Sequence, residues 1–352
     1  MNHKMPLLMI NDLRTSRFMG SKREFVGEIL SPTGGEGQGE GAIIKTYDDL
    51  FAAFAAQLAH FLEIKIAGNM LVERMYATLM PAPFLSVLTD DCIRKGRDYN
   101  AGGARYNNTF IQFVGIGTIT DCLSALKRHV WEDRLLSMTE FAATLDGNFE
   151  GREPLRQRLV NKSPKYGNDD DFADGLMVRV FEEIFARVDG RPNGKGGHFR
   201  VEMLPTTCHV YFGSKTGASP DGRKAGLPLS EGISPVQGAD RHGPTAVFRS
   251  AAKMDQVKTG GTLLNLKFTP SVLAGEEGIE ALAHLVRGYF KMDGHHVQFN
   301  VVGAETLREA QVHPEQHRDL IVRVAGYSDY FCDLSAALQE EIITRTEQGV
   351  PV

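Results

Sequence analysis

The sequence is poor in cysteine, and the four cysteines that it has are far apart. They are Cys92, Cys122, Cys208 and Cys332 in a chain of 352 residues, and no two of them form a C-x-x-C pair. Protein-held zinc and iron–sulfur clusters usually use such pairs, so we expect no metal site built by this chain. Reduced, mostly buried thiols are the expected state of such a set.

An excess of one charge and a long hydrophobic run are also absent. The 39 basic and 44 acidic residues give a formal net charge of −5, which does not favour nucleic acid as a partner. No uninterrupted apolar run reaches the roughly 18 residues that a membrane span needs. Residues 5–10 (MPLLMI) are too short for a secretory signal. We therefore expect no membrane association and a cytoplasmic location.

The order of the predicted elements indicates an α/β protein. Residues 31–41 (SPTGGEGQGEG) form a glycine-rich connector, and a helix with a Thr46 cap follows at 46–80, before Pro81. Residues 191–197 (RPNGKGG) are the clearest boundary between structured segments later in the chain. The other predicted helices are 84–96, 118–131, 137–146, 153–160, 170–188, 277–291, 304–311 and 334–347, and the predicted strands are 110–117, 203–212, 262–268, 295–302 and the segment entering Gly326. Alternating strands and helices favour an α/β barrel or a layered sheet.

Two motifs have simpler interpretations than a ligand site. Gly115 and Gly117 form a G-x-G between a predicted strand and helix, but Thr120 stands at the third glycine position of the dinucleotide fingerprint. A tight strand-to-helix turn is the preferred interpretation. The acidic residues at 168–171 (NDDD) and Asp174 lack the spacing of an EF-hand, and helix capping explains them better.

The histidines do not form an evident site either. His295 and His296 would point to opposite faces of a strand, so they cannot easily share one metal. Cys208 and His209 are neighbours in the chain, but a nucleophile and its base must meet in space rather than in sequence. Core or loop positions are the preferred interpretation for these residues.

The segment RVAGYSDYF, residues 323–331, places a lone glycine between strand-forming and aromatic residues. By itself, such a glycine is usually a bulge, a bend or a close approach of the backbone. A glycine Cα can also carry an unpaired electron, because without a side chain it can flatten and share the spin with the flanking amide groups. The same freedom suits the tip of a buried hairpin, which is where we expect Gly326.

Together with that segment, seven stretches resemble the glycyl radical enzymes, in the order in which that family has them. They are residues 102–109 (GGARYNNT), 114–118 (VGIGT), 217–226 (GASPDGRKAG), 229–235 (LSEGISP), 243–247 (GPTAV), 260–265 (GGTLLN) and 296–300 (HVQFN). The likeness covers about 45–347. The chain most resembles the pyruvate formate-lyase-like branch that contains trans-4-hydroxy-L-proline dehydratase.

The resemblance implies a fold and a division of the chain. The family fold is a ten-stranded α/β barrel of two antiparallel half-barrels, and this chain would supply its C-terminal half, with helices surrounding it. Residues 45–213 would be the C-terminal part of the barrel domain, and residues 214–352 the glycine radical domain. Residues 1–44 match poorly and would be a leader with the glycine-rich connector.

The same resemblance implies roles for five residues. Gly326 would store the radical, which a separate radical-SAM activating enzyme with its own iron–sulfur cluster installs. Arg323, Val324, Ala325 and Tyr327 would form the segment that this enzyme recognises. No cofactor would be bound, since the radical belongs to the protein itself. Burial of the site would keep out water and oxygen.

Thr206 and Thr207 are candidate residues of the substrate cavity. They could face the cavity for a small-molecule substrate, and packing at the end of a strand is an equally good interpretation. Family members are often homodimers, so a second copy is a possible partner, as is a missing N-terminal half.

One departure from the family affects the function. In the family a cysteine loop, often Gly-Cys-Val-Glu, lies upstream of the region matched by residue 45, and its thiyl radical attacks the substrate. Nothing like it occurs in this sequence. The resemblance therefore implies a fragment of a radical dehydratase, lyase or formate acetyltransferase-like enzyme. The alternatives are a non-catalytic radical module that docks on a partner, and an inert remnant of a broken gene.

Overall fold

The structure, a computed structural model, describes residues 5–6, 44–204 and 206–349. Most of the predicted leader and connector, residues 1–44, therefore lies outside the described residues. The strands are β1 (Met5–Pro6), β2 (Thr109–Val114), β3 (Phe199–Glu202), β4 (Asn265–Phe268), β5 (Gln298–Val301), β6 (Ile321–Arg323), β7 (Ser328–Tyr330) and β8 (Glu347–Gln348). The helices are α1 (Tyr47–Leu79), α2 (Pro83–Leu88), α3 (Cys92–Lys95), α4 (Ile116–Leu126), α5 (Met138–Asp146), α6 (Glu153–Lys162), α7 (Asp171–Val188), α8 (Cys208–Ser214), α9 (Pro244–Ala252), α10 (Gly275–Lys291), α11 (Ala304–Val312) and α12 (Ala336–Thr344).

Most strand pairs are parallel, as expected when helices connect the strands. β2 lies between β1 and β3, and β4 lies between β5 and β8, with parallel pairing throughout. A parallel bridge from Met203 to Thr262 brings the end of β3 beside the segment that leads into β4. Only β6 and β7 form an antiparallel pair among the described strands. The fold is thus α/β, no closed barrel is formed by the described residues, and the half-barrel stays a prediction.

The longest helix, α1, begins where the sequence predicts. The Thr46 hydroxyl accepts from the Asp49 amide at 3.1 Å, and the Asp49 carboxylate accepts from the Thr46 amide at 2.8 Å. This reciprocal capping box satisfies two amides that the first turn leaves without partners. The helix ends at Leu79, before Pro81, which confirms the predicted end.

The predicted strand over 203–212 is wrong. β3 ends at Glu202, and residues 208–214 form the short helix α8. The aromatic and β-branched composition of this segment favours a strand, but tertiary packing decides otherwise. His209 and Gly213 are buried, and a Cβ on Gly213 would lie 2.3 Å from the Leu227 carbonyl oxygen.

The G-x-G motif is a tight turn that packs α4, which confirms the preferred interpretation. Gly115 has a φ of 85°, and all eleven residues of α4 are buried. A Cβ on Gly117 would lie 2.9 Å from the Ser234 carbonyl oxygen, so α4 needs glycine to approach this loop closely. Thr118 and Ser230 then exchange hydrogen bonds of 3.0 and 2.8 Å, each from a backbone amide to the other's hydroxyl. Of the carboxylates near residue 170, Asp170 caps α7 by accepting from the Phe172 amide, as expected. The other three, Asp169, Asp171 and Asp174, instead pair with Lys253.

Buried apolar side chains form two clusters. The first extends from Tyr47 to Tyr289 and contains α1, α4, α7 and the parallel strands. The second extends from Val302 to Ile343 and lies around the hairpin of β6 and β7. The predicted domain division between residues 213 and 214 falls within the first cluster.

The helix α1 is also long and apolar enough, by length and composition alone, to cross a membrane, although the sequence has no uninterrupted run of that length. Leu58 and Leu62 in its first half are packed in the core, as in many soluble core helices. Its second half and α2 expose several large apolar side chains. These are Leu71, Met75, Leu79, Phe84, Val87 and Leu88.

Candidate functional site

The segment around Gly326 forms a tight β-hairpin between β6 and β7. The Val324 amide donates to the Tyr327 carbonyl oxygen at 2.9 Å, so Ala325 and Gly326 are the two central residues of the turn. Gly326 has a φ of 81°, in the left-handed region. A turn in which only the second central residue is left-handed favours glycine at that position, because a side chain there would be strained.

The tip of this hairpin faces solvent. Gly326 is exposed and Tyr327 is 37% exposed, whereas the side chains of Val324 and Ala325 are buried. The expected burial of the tip is therefore not found within the described part of this chain. Of the described residues, only Leu263 would touch a Cβ on Gly326, at an ordinary 3.4 Å. The site thus needs glycine for its backbone conformation rather than for space.

The Arg323 side chain is bound within the fold beside the turn. Its guanidinium donates to Gln298 Oε1 at 2.7 and 3.0 Å and to Ser328 Oγ at 3.0 Å. Its backbone amide donates to Asn300 Oδ1 at 2.7 Å, and its carbonyl oxygen accepts from Asn300 Nδ2 at 2.8 Å. The Asn300 amide therefore takes the place of a neighbouring strand and ties β6 to β5.

A buried ion pair supports the hairpin from behind. Arg345, just after α12, donates to the carbonyl oxygens of Arg323 at 3.3 Å and Val324 at 2.9 Å. It also donates to both carboxylate oxygens of Glu341, at 2.8 and 3.1 Å. Burial alone would raise the pKa of Glu341, but Arg345 and His209 outweigh burial and hold that pKa well below its usual range. Glu341 is therefore ionised at neutral pH.

The two threonine candidates lie in the connection from β3 to α8. Thr206 is exposed, and Thr207 is the half-buried residue before the helix. On that helix, His209 Nε2 lies 3.4 Å from Glu341 Oε1. Through His209, this segment thus lies beside the ion pair that supports the hairpin. A substrate-facing role for the two threonines stays a prediction.

All four cysteines are free thiols. Cys92 and Cys122 are almost fully enclosed, and burial raises the pKa of the Cys122 thiol. Within the described part of the chain, no three His, Cys, Asp or Glu side chains are grouped in a way that could hold a metal ion.

Four residues that hold the hairpin have no counterpart among the residues predicted from the sequence: Gln298, Asn300, Glu341 and Arg345. Two signals were present: Gln298 and Asn300 alternate in a strand-like run, and Glu341 and Arg345 are four residues apart at the end of a helix. Polar residues on the same side of a strand and an i,i+4 ion pair both indicate side chains that can act together.

Two family models match the chain. The model described as pyruvate formate lyase-like matches residues 34–213. The model described as glycine radical matches residues 229–332, which include Gly326.

The chain is also similar to individual enzymes. It is 56% identical to trans-4-hydroxy-L-proline dehydratase of Clostridioides difficile over 304 residues, 86% of this chain and 38% of the relative. It is 37% identical to isethionate sulfite-lyase of Nitratidesulfovibrio vulgaris over 318 residues, 89% of this chain and 38% of the relative. The crystal structure of the Clostridioides difficile hydroxyproline dehydratase with trans-4-hydroxy-L-proline bound matches with a TM-score of 0.86 and 55% identity, over 88% of this chain and 39% of that one.

This chain therefore spans less than half the length of the relatives that it matches. The matched region includes the hairpin, and the relatives are dehydratases and lyases. The chain belongs to the pyruvate formate lyase-like family of glycyl radical enzymes.

Proposed function

We propose that Gly326 carries a glycyl radical and that this chain forms part of a radical dehydratase or lyase. The enzyme would break a C–O, C–N or C–C bond of a small metabolite. The observation that carries the proposal is the Gly326 turn, whose exposed glycine has a φ of 81° and lies in the segment matched by the glycine radical model.

The proposed chemistry begins with loss of a hydrogen atom from the Gly326 Cα. A radical-SAM activating enzyme takes this atom, and the unpaired electron stays on the backbone between two amide groups. Of the proposed recognition segment, Gly326 and Tyr327 are exposed, and Arg323 is half-buried. The buried Val324 and Ala325 would therefore act on recognition through the shape of the turn.

The substrate would be attacked by a thiyl radical on a cysteine outside this chain. The enclosure of Cys92 and Cys122 argues against these two thiols, because a buried thiol in a packed core cannot meet a substrate. Cys208 and Cys332 are half-buried, and neither lies in a sequence that resembles the cysteine loop of the family. Residues 45–213 would then contribute to the barrel and residues 214–352 would be the radical domain. The two family models match 34–213 and 229–332, which supports this division.

A hydroxylated small molecule is the proposed substrate class. The similarity to trans-4-hydroxy-L-proline dehydratase supports hydroxyproline itself as the first compound to test. Thr206 and Thr207 are the proposed cavity residues of this chain. The enzyme would act in the cytoplasm.

A docking module is the second candidate function, and a surface feature favours it. The apolar side chains on the second half of α1 and on α2 are exposed, including Leu79, Phe84 and Leu88. Large exposed apolar surfaces usually mark a contact with another chain. A partner that carries the cysteine half, or a second copy of this chain, would cover it.

Electron paramagnetic resonance tests the proposed radical. The chain is incubated without oxygen with S-adenosylmethionine and the activating enzyme of the Clostridioides difficile relative. We expect a glycine-centred doublet in the wild type and no doublet in Gly326→Ala. The matched control is Gly226→Ala, since Gly226 is exposed, has a φ of 83° and has no atom within 4 Å of its Cβ position. An undiminished doublet in Gly326→Ala would refute the assignment.

A mixing experiment separates the two candidate functions. The activated chain is combined with the portion of the Clostridioides difficile dehydratase that precedes the matched region, and trans-4-hydroxy-L-proline consumption is measured. Turnover by the mixture supports the enzyme part, and stable association without turnover supports the docking module. If neither occurs, although the radical forms, both candidates fail as stated.

A further inference from the structure

The ion pair behind the hairpin contacts two consecutive carbonyl groups, those of Arg323 and Val324. These carbonyls directly precede the turn. We propose that Arg345 is a positioning residue that holds the Gly326 turn in its left-handed conformation. The inference deepens the proposed function and rests on it, because the shape of the turn matters most if Gly326 carries the radical.

One of the two backbone groups of Val324 at the turn is bound within the turn, and the other is bound by a donor outside the hairpin. Among the described backbone hydrogen bonds, the one that closes this turn runs from the Val324 amide to the Tyr327 oxygen. The Val324 carbonyl oxygen, which in many turns accepts from the residue three positions on, here accepts from Arg345 Nη2 at 2.9 Å. Arg345 therefore takes over a bond that a turn usually makes within itself.

Only a guanidinium can make this set of contacts. Its planar fork points three nitrogens in fixed directions, so that one side chain can bind two carbonyl oxygens and a carboxylate together. A lysine at the same place would keep the charge but lose the fixed geometry.

The ion pair of Arg345 and Glu341 is also in contact with elements outside the hairpin. Glu341 Oε1 accepts from Gln237 Nε2 at 3.0 Å and lies 3.4 Å from His209 Nε2. A second carboxylate, Glu231, is also buried here, and burial raises its pKa. The ionised partner of Arg345 is thus Glu341, which is held by Gln237 and lies beside His209 of α8.

Stability alone is a weak reason for this pair. A buried ion pair costs desolvation that often cancels its attraction, whereas removal of one partner leaves a buried charge. A test must therefore remove both charges together. The double variant Arg345→Met/Glu341→Gln does so at similar volume.

A pair that joins α11 to α12 supplies a matched control. Arg308 and Glu340 form an exposed pair with Arg308 Nη2 2.7 Å from Glu340 Oε1, and neither contacts the hairpin in the described bonds. The control is Arg308→Met/Glu340→Gln. A third variant, Arg345→Lys, keeps a charge beside Glu341 and provides a folded protein if the double variant does not fold.

The first measurement is hydrogen–deuterium exchange of peptides that cover residues 321–330, on the full chain. Loss of two charge-assisted bonds should speed exchange there about tenfold to a hundredfold. Exchange in β5 and α12 should stay as in the wild type. Arg345→Lys should be intermediate, and the control variant should be unchanged.

The second measurement is the number of glycyl radicals per folded chain, determined by electron paramagnetic resonance after activation has reached a plateau. We expect about a tenfold loss in the double variant and a partial loss in Arg345→Lys, whereas a structural role alone would leave this ratio unchanged. Wild-type exchange at 321–330 in the double variant, or an equal rise in α12, would overturn the inference. If the wild type itself forms no radical, the proposed function fails, but the exchange data still decide whether Arg345 holds the turn.

Discussion

Two glycines at turns of this chain have almost the same φ angle and opposite surroundings. Gly115 has a φ of 85° and Gly326 a φ of 81°. Gly115 is enclosed and begins the fully buried helix α4, whereas Gly326 is exposed between two three-residue strands. The same permissive backbone packs a helix in one region and presents a Cα to solvent in the other, so the sequence pattern of the turn does not decide its use.

The pKa values of the buried carboxylates near the two turns are shifted in opposite directions. Burial raises the pKa of Asp121, within α4, to about 7, and Lys165 Nζ lies 3.7 Å away. Glu341, behind the hairpin, has a lowered pKa because Arg345 binds both of its oxygens. A buried carboxylate thus stays ionised where a guanidinium binds both of its oxygens, and its pKa rises where one backbone amide at 2.9 Å and a cation at 3.7 Å do not offset burial.

The largest contrast should appear when the activated chain meets oxygen. We expect backbone cleavage at Gly326 and none at Gly115, since only the exposed glycine would carry the radical. Mass spectrometry should find an N-terminal fragment that ends near residue 325. The chain that was never activated and activated Gly326→Ala should both stay intact in air, and cleavage of either would contradict the prediction.

Removal of the charge on Glu341 should have the next largest effect. Glu341→Gln leaves Arg345 buried without its counter-charge, and we expect the free energy of unfolding to fall by about 3–5 kcal/mol. Glu340→Gln, one position earlier in an exposed pair, should lower it by less than about 1 kcal/mol. Urea denaturation at pH 7 measures both. Equal effects of the two variants would show that the buried pair does not support the hairpin region.

Asp121, in the buried helix α4 that follows Gly115, should make the free energy of unfolding depend on pH. Its pKa is raised in the fold to about 7, against 3.8 for the ordinary carboxyl. Between these values the unfolded chain ionises while the folded chain keeps its proton, so stability falls as pH rises towards 7. Asp121→Asn should lose this fall. Urea denaturation at pH 5 and pH 8 checks it, and the same pH dependence in variant and wild type would refute the assignment to Asp121.

Local features of the fold could be predicted, and contacts between distant segments could not. The cap at Thr46, the end before Pro81 and the turn at Gly115 depend on a few neighbouring residues. The contacts of Asn300 and Arg345 with Arg323 join residues more than twenty positions apart and depend on how β5, β6 and α12 pack. The exposure of Gly326 was missed for the same reason, because surroundings are set by the rest of the fold.

The smallest predicted difference compares the two glycines directly. Both need a left-handed backbone, and an added Cβ would make only ordinary contacts, at 3.5 Å from Leu229 Cδ1 for Gly115 and 3.4 Å from Leu263 Cδ1 for Gly326. Each change to alanine should therefore cost about 1–2 kcal/mol of unfolding free energy, whatever the burial of the site. Gly117→Ala is the contrast, because its Cβ would lie 2.9 Å from the Ser234 oxygen and overpacking costs about 1–3 kcal/mol. A cost at Gly115 far above that at Gly326 would show that burial, rather than backbone conformation, sets the requirement for glycine at these turns.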